Sequence, residues 1–348
     1  MRAVTVVPLV PDSVDLTDLP EPPVSDGPVL VKTRAVGVCG TDLEIIEGEY
    51  GWAPPGEPRL AIGHESLGEV VEAPSDSGLA PGDLVVAIVR RPDPVPCPNC
   101  AIGEWDMCRN GMYTEWGIKE HHGYARERFR ITSDYLVKVD PKLGNLGVLL
   151  EPTTVVAKAW DHIERIGARA RWEPATVLVT GAGPIGLLAA LLGVQRGLEV
   201  HVLDRVTDGL KPELVAAMGA TYHHGNVADT GVVPDVAIEC TGVGPVIHDL
   251  MDVTGSNGIV CLTGVSSSRE LSVDVGLLNR RMVLSNDVVF GSVNANRRHY
   301  EAGATALAEA DPTWLSRLIT RSVPLTAWRD AYQRQPGDVK VVLDFDSP

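Results

Sequence analysis

Thr176-Val-Leu-Val-Thr180-Gly181-Ala-Gly183-Pro184-Ile185-Gly186-Leu-Leu-Ala-Ala-Leu-Leu192 decides how the chain folds. A short apolar run rich in β-branched residues reads as a buried strand, and the long apolar stretch to Arg196 reads as a helix. Between them the glycines have separate tasks. Gly181 permits the tight turn, Gly183 lets backbone approach a pyrophosphate, and Gly186 lets helix pack on strand. Pro184 and Ile185 complete the turn, and the helix start presents free N–H groups and a positive dipole end to phosphate. The next strand, Glu199–Asp204, ends in a carboxylate 23 positions beyond Gly181. Such a carboxylate accepts hydrogen bonds from ribose hydroxyls and repels a 2′-phosphate, which favours NAD. Arg205 follows at once, and its guanidinium keeps NADP open.

Further strand candidates are Asp235–Glu239, Ile259–Thr263 and Val288–Val293, with a helix over Glu213–Met218 stopped by Gly219. Strands alternating with helices predict a doubly wound parallel sheet. The first 150 residues differ: Pro28–Val36, Gly68–Glu72 and Gly82–Val89 are short valine-bearing runs between turn residues, the pattern of a compact β domain. Trp314–Ile319, Trp328–Gln333 and Val339–Phe345 resume a mixed pattern. We therefore expect a β-rich domain over 1–150, a dinucleotide-binding domain over 151–293, and a return to the first domain over 294–348.

The chain has 348 residues and a formal charge of −16, which argues against nucleic-acid or anionic-membrane partners. No apolar stretch matches a membrane span or a signal peptide, so a cytoplasmic protein is expected. Six cysteines in a chain of this size do not suggest a disulfide scaffold. Cys240 and Cys261 sit in apolar strand-like runs and read as small buried residues.

Val38-Cys39-Gly40-Thr41-Asp42, Gly63-His64-Glu65 and Glu151-Pro152 carry the other chemistry. Catalytic zinc takes three protein ligands and keeps one position open. Cys39 offers a thiolate, His64 an imidazole, and Glu65 or Glu151 a carboxylate.

These motifs, together with the glycine turn, resemble the zinc-dependent medium-chain alcohol dehydrogenase superfamily over the whole length. The resemblance implies a GroES-like β-rich catalytic domain beside a Rossmann domain. Arg90-Arg-Pro92, Asp106-Met-Cys108, Gly111-Met-Tyr-Thr-Glu115, Gly117-Ile118, His122-Gly-Tyr124 and Gly291-Ser-Val-Asn294 resemble the glucose dehydrogenase branch. In that branch Cys39, His64 and a mobile glutamate matched by Glu65 would hold the catalytic zinc, with Glu151 near metal or sugar. Thr41 would meet the reacting hydroxyl; Glu115, Glu151 and Asn294 would contact sugar, with Asn294 also at the cofactor. Val89 and Val155 depart from the polar residues of some relatives. Many relatives bind a second, structural zinc through C-x2-C-x2-C-x7-C. Here Cys97, Cys100 and Cys108 match the last three positions and Pro94 takes the first; either Asp93 is the substitute ligand or the lobe holds no metal.

The resemblance implies oxidation of an aldose, glucose first, at C1 to the aldonolactone. Zinc would act as the Lewis acid, Thr41, Glu65 or Glu151 would pass the proton, and the nicotinamide would take the hydride. A homodimer or homotetramer is expected. The alternatives are a polyol, threonine or simple alcohol dehydrogenase, or a dinucleotide-binding protein without catalysis.

Overall fold

The computed structural model describes residues 1–266 and 270–347. It divides into two compact units, Met1–Glu151 with Asn294–Pro348, and Pro152–Val293. The first boundary thus falls one residue later than the sequence pattern suggests, inside the helix Leu150–Gly167.

In the second unit the described strands form one parallel sheet in the order Thr221–His223, Glu199–Leu203, Thr176–Thr180, Val236–Glu239, Ile259–Leu262, Val288–Gly291. The order reverses between Thr176–Thr180 and Val236–Glu239, and ligands bind at the carboxyl ends of strands flanking such a switch. Helix Pro184–Gln195 is buried at every residue from Gly186 to Gly193, which explains a segment apolar on all sides. Trp160 donates from Nε1 to Ala189 O at 3.2 Å, fixing Leu150–Gly167 on that helix.

The first unit is built on a sheet ordered Leu136–Lys138, Leu84–Ala87, Glu65–Glu72, Val29–Val38, Lys340–Asp344, Ile319–Pro324, with Arg128–Ile131 also on Val29–Val38. The return segment thus contributes two strands to the sheet that carries Glu65. A separate small sheet joins Arg90–Arg91, Thr114–Trp116 and Glu120–His121.

Several elements differ from the sequence reading. Helices Leu150–Gly167, Gly244–Val253, Val275–Ser285 and Arg297–Glu309 have no counterpart in it. In the first of these the β-branched run Thr153-Thr-Val-Val156 masks helical periodicity. Among the described residues no helix is long and apolar enough to cross a membrane.

Gly117 brings the small sheet against the metal-ligand loop. Gly117 has φ +77°, and a Cβ there would lie 2.5 Å from Gly63 O. Gly111 has φ +72° but open space around it. Gly117→Ala is therefore expected to lower unfolding free energy by about 2–4 kcal/mol, and Gly111→Ala by only about 1 kcal/mol. Urea denaturation measures both; equal losses would contradict the close approach.

Candidate active site

Cys39 ends the strand Val29–Val38 and caps the helix Gly40–Ile46, while His64 and Glu65 open the neighbouring strand. Asp42 ties these pieces together. Its Oδ2 accepts from Cys39 N at 2.9 Å and its Oδ1 from Gly63 N at 3.2 Å. The same Oδ1 lies 3.3 Å from His64 Nδ1. A carboxylate on Nδ1 orients the ring and leaves Nε2 for a metal.

Ligand atoms of Cys39, His64 and Glu65 all lie within 4.8 Å of one another. A thiolate, an imidazole and a carboxylate are a donor set that fits catalytic zinc. Burial alone would lower the proton affinity of His64, but Asp42 and Cys39 outweigh it and raise it well above the usual value. A metal ion must displace that proton, so binding is coupled to pH.

Lys340 is fully enclosed, and its Nζ lies 2.7 Å and 2.6 Å from the two Glu65 oxygens and 3.2 Å from Val38 O. Burial works against its charge; Glu65, Cys39 and Glu151 reverse that and raise its proton affinity. Gly37, paired with Glu65 across the strands, makes room: a Cβ there would fall 2.0 Å from Glu65 Oε2. Glu151 joins this group electrostatically. Burial, then repulsion from Glu65 and Asp42, pushes its carboxyl up to about 7 against the opposing pull of His64 and Lys340.

Of the other expected residues, Thr41 lies in the first turn after Cys39 and is half-buried. Glu115 and Asn294 meet directly, with Asn294 Nδ2 donating to Glu115 Oε1 at 2.8 Å. Asp42 and Lys340 escaped the sequence reading. The C-x-x-D spacing of Cys39 and Asp42 is a helix-capping signal that identifies Asp42, whereas nothing local to Lys340 points to Glu65.

Cys97, Cys100 and Cys108 also converge, with their sulfurs within 4.8 Å of one another. Hydrogen bonds from Arg109 N and other backbone groups pull the Cys97 thiol down to about 6, and burial pushes Cys100 up to about 11. The Asp93 carboxylate, expected as the fourth ligand, is not among the atoms that converge. Its Oδ1 accepts from Val95 N at 2.8 Å and its Oδ2 from Asn110 Nδ2 at 2.8 Å. The short carboxylate satisfies its own turn instead, and its backbone N–H points to the Cys100 sulfur.

In the second unit Gly181 has φ +91°, and its N–H donates to Leu203 O at 2.7 Å. A Cβ on Gly186 would fall 1.7 Å from Gly181 O, so turn and helix pack through that glycine. Gly183 caps the helix with nothing within 4 Å of its Cβ position, and Pro184 opens the first turn. This cradle fits a dinucleotide pyrophosphate. Asp204 Oδ2 accepts from Ala182 N at 2.7 Å and from Lys211 Nζ at 3.1 Å, and its Oδ1 from Val206 N at 3.2 Å. Burial opposes its charge, but the Ala182 N–H and Lys211 prevail and hold its pKa below the usual range. Arg205 is exposed. Glu239, which sequence reasoning missed, is fully buried at the switch and accepts from Thr241 N at 2.6 Å and Gly242 N at 3.0 Å, fixing the adjoining loop.

The raised Glu151 carboxyl makes a prediction for zinc-free protein. The folded chain retains a proton that the unfolded chain loses above the usual 4.5. That contribution to stability is complete below pH 4.5 and is lost as pH rises through about 7. Wild type stripped by chelator should thus lose stability relative to Glu151→Gln across that window, as read by denaturation midpoints. Parallel curves would contradict the assignment.

Two family models match the chain: the alcohol dehydrogenase GroES-like domain over residues 25–141, and the glucose dehydrogenase C-terminus over residues 144–345. Glucose 1-dehydrogenase 2 of Vulcanisaeta moutnovskia is 41% identical over 353 residues, covering 99% of both chains. Glucose 1-dehydrogenase of Haloferax mediterranei is 34% identical over 345 residues, covering 94% of this chain and 95% of its own. The solved structure of Haloferax mediterranei glucose dehydrogenase in complex with NADP, Zn and gluconolactone superposes with TM-score 0.92 at 32% identity, covering 100% of each chain. The chain belongs to the glucose dehydrogenase branch of the zinc-dependent medium-chain alcohol dehydrogenase superfamily.

Proposed function

We propose that this chain is a zinc-dependent glucose 1-dehydrogenase, oxidising the C1 hydroxyl of the sugar to the lactone and reducing a nicotinamide dinucleotide. The observation that carries the reading is the convergence of Cys39, His64 and Glu65 within 4.8 Å in a chain that also has the Gly181–Gly186 cradle. The relatives' names and the gluconolactone complex supply the substrate class.

Zinc, when bound, supplies Lewis-acid polarisation of the sugar hydroxyl. The protein's own groups do the rest. Thr41 orients the hydroxyl from the turn that Cys39 caps. Glu151, a buried carboxylate electrostatically coupled to His64 and Glu65, accepts the hydroxyl proton and returns it to water. Lys340 holds Glu65 beside Cys39 and His64, and Gly37 leaves the space that carboxylate occupies. Glu115 and Asn294 act as the sugar-binding pair, one accepting and one donating hydrogen bonds. As the proton leaves the hydroxyl, the C1 hydrogen departs with its electron pair to the nicotinamide, leaving the lactone.

NAD is the proposed preferred acceptor. The charged Asp204 supports this by repelling a 2′-phosphate, while Lys211 and Arg205 are the cations that would receive one. NADP in the Haloferax mediterranei complex makes that enzyme the natural comparison. A second, structural zinc on Cys97, Cys100 and Cys108 is proposed on their convergence, with Asp93 required to turn from Val95 and Asn110 if it is to join. A homodimer or homotetramer is proposed on the exposed apolar residues Val275, Leu277, Val283 and Leu284 beside the edge strand Val288–Gly291.

Cys39→Ser and His64→Ala are expected to cut glucose oxidation by about 100-fold or more while dinucleotide still binds, because ligands and cradle belong to separate units. Loss of dinucleotide binding in a folded variant would count against this separation. A panel of aldoses, polyols, threonine and simple alcohols should give the highest kcat/KM with glucose; a higher value with a polyol would replace the substrate assignment. For the acceptor, kcat/KM should be higher with NAD than NADP, and Asp204→Ser should narrow the gap. A wild-type preference for NADP would overturn that choice.

A further inference from the structure

Arg90 stands directly opposite Glu115 in the antiparallel pairing of Arg90–Arg91 with Thr114–Trp116. Its Nε and Nη2 each lie 3.0 Å from Glu115 Oε1. Its Nη1 donates to Asp106 O at 3.2 Å, and its Cζ sits 3.7 Å from the centroid of the Tyr113 ring. The guanidinium is therefore fixed by a carboxylate, a carbonyl and an aromatic face. Arg90 is 5% exposed, Glu115 6% and Asp106 5%, so water does little to screen the pair.

The same atoms close a ring. Asn294 Nδ2 donates to Glu115 Oε1 at 2.8 Å, and Asn296 Nδ2 donates to Asp106 Oδ1 at 2.8 Å. Asn294 and Asn296 are two residues apart, and Asn294 takes a left-handed φ of +62°, a conformation asparagine tolerates. Glu115, Arg90, Asp106, Asn296 and Asn294 thus form a circuit through the cysteine lobe and the return segment. The circuit stands close to the metal-ligand loop, since Gly117, two residues past Glu115, abuts Gly63.

We propose that Arg90 is a positioning residue for sugar recognition: it holds the Glu115 carboxylate, and through it Asn294, in the orientation that meets the substrate hydroxyls. The inference rests on the reading of Glu115 and Asn294 as sugar contacts. A carboxylate oxygen that receives both Arg90 and Asn294 leaves its partner oxygen oriented as an acceptor. Lysine has one point charge and cannot reproduce the two-nitrogen grip with the Asp106 contact. Anchoring Arg90 to Asp106 also makes the lobe between Cys100 and Cys108 part of the support for the sugar site.

Steady-state kinetics on the intact, zinc-loaded enzyme test this with Arg90→Met, Arg90→Lys, Glu115→Gln and the double variant Arg90→Met/Glu115→Gln. Arg90→Met should raise the glucose KM by about tenfold or more while kcat changes by less than about threefold, the scale expected for losing a charged hydrogen bond to substrate. Arg90→Lys should fall between it and wild type. Zinc content should match wild type. The double variant should add less than about twofold to the KM of Glu115→Gln, since both changes act through one carboxylate. Should Arg90→Met fail to fold, Arg90→Lys and the double variant, which leaves no buried unpaired carboxylate, decide the matter. A wild-type KM in folded Arg90→Lys and Arg90→Met, additive effects in the double variant, or a loss in kcat alone would overturn the proposal. If Glu115→Gln itself leaves the glucose KM unchanged, the assignment of Glu115 to the sugar falls instead.

Discussion

The ion pair between Lys340 and Glu65 is the contact on which the first unit depends. It joins the C-terminal return segment to the strand that begins at the metal-ligand loop, across 275 residues of chain. Two charges removed from water repay their desolvation only with good geometry and further partners. Here the ammonium meets both carboxylate oxygens and a backbone carbonyl. Glu65 is thereby held beside Cys39 and His64, and its negative charge adds to the burial that raises the proton affinity of Glu151. The position of Glu65 traces to this pair.

What the sequence made legible was local. The Gly181–Gly186 turn announces itself because strand, glycines, helix and Asp204 fall within one short stretch, and each glycine has a distinct steric task. Strand Thr176–Thr180 coincides with its sequence expectation, and the expected later strands of that sheet differ only at their ends. Cys39 and His64 were readable as ligand types. Their approach was not, because it is set by Asp42, which accepts from the backbone N–H groups of Cys39 and Gly63.

The illegible part was long-range or masked. Lys340 looks like an ordinary strand residue until the sheet order places its strand beside Val29–Val38. Asp93 stands beside the position the spacing marks, but its carboxylate binds Val95 N and Asn110 Nδ2 while its backbone N–H meets the Cys100 sulfur. Helix Leu150–Gly167 was hidden by consecutive β-branched residues that tertiary packing overrides. Its first turn carries Glu151, so the missed helix and the unexpected titration of that carboxyl have one origin: the burial of that turn.

The account stands or falls on what holds the zinc. Zinc K-edge X-ray absorption on full-length protein carrying Cys97→Ser, Cys100→Ser and Cys108→Ser isolates the site formed by Cys39, His64 and Glu65. The account predicts bound zinc with one sulfur neighbour at about 2.3 Å and nitrogen or oxygen neighbours at about 2.0–2.2 Å. A zinc shell without sulfur, or no retained zinc in a folded protein, would contradict it.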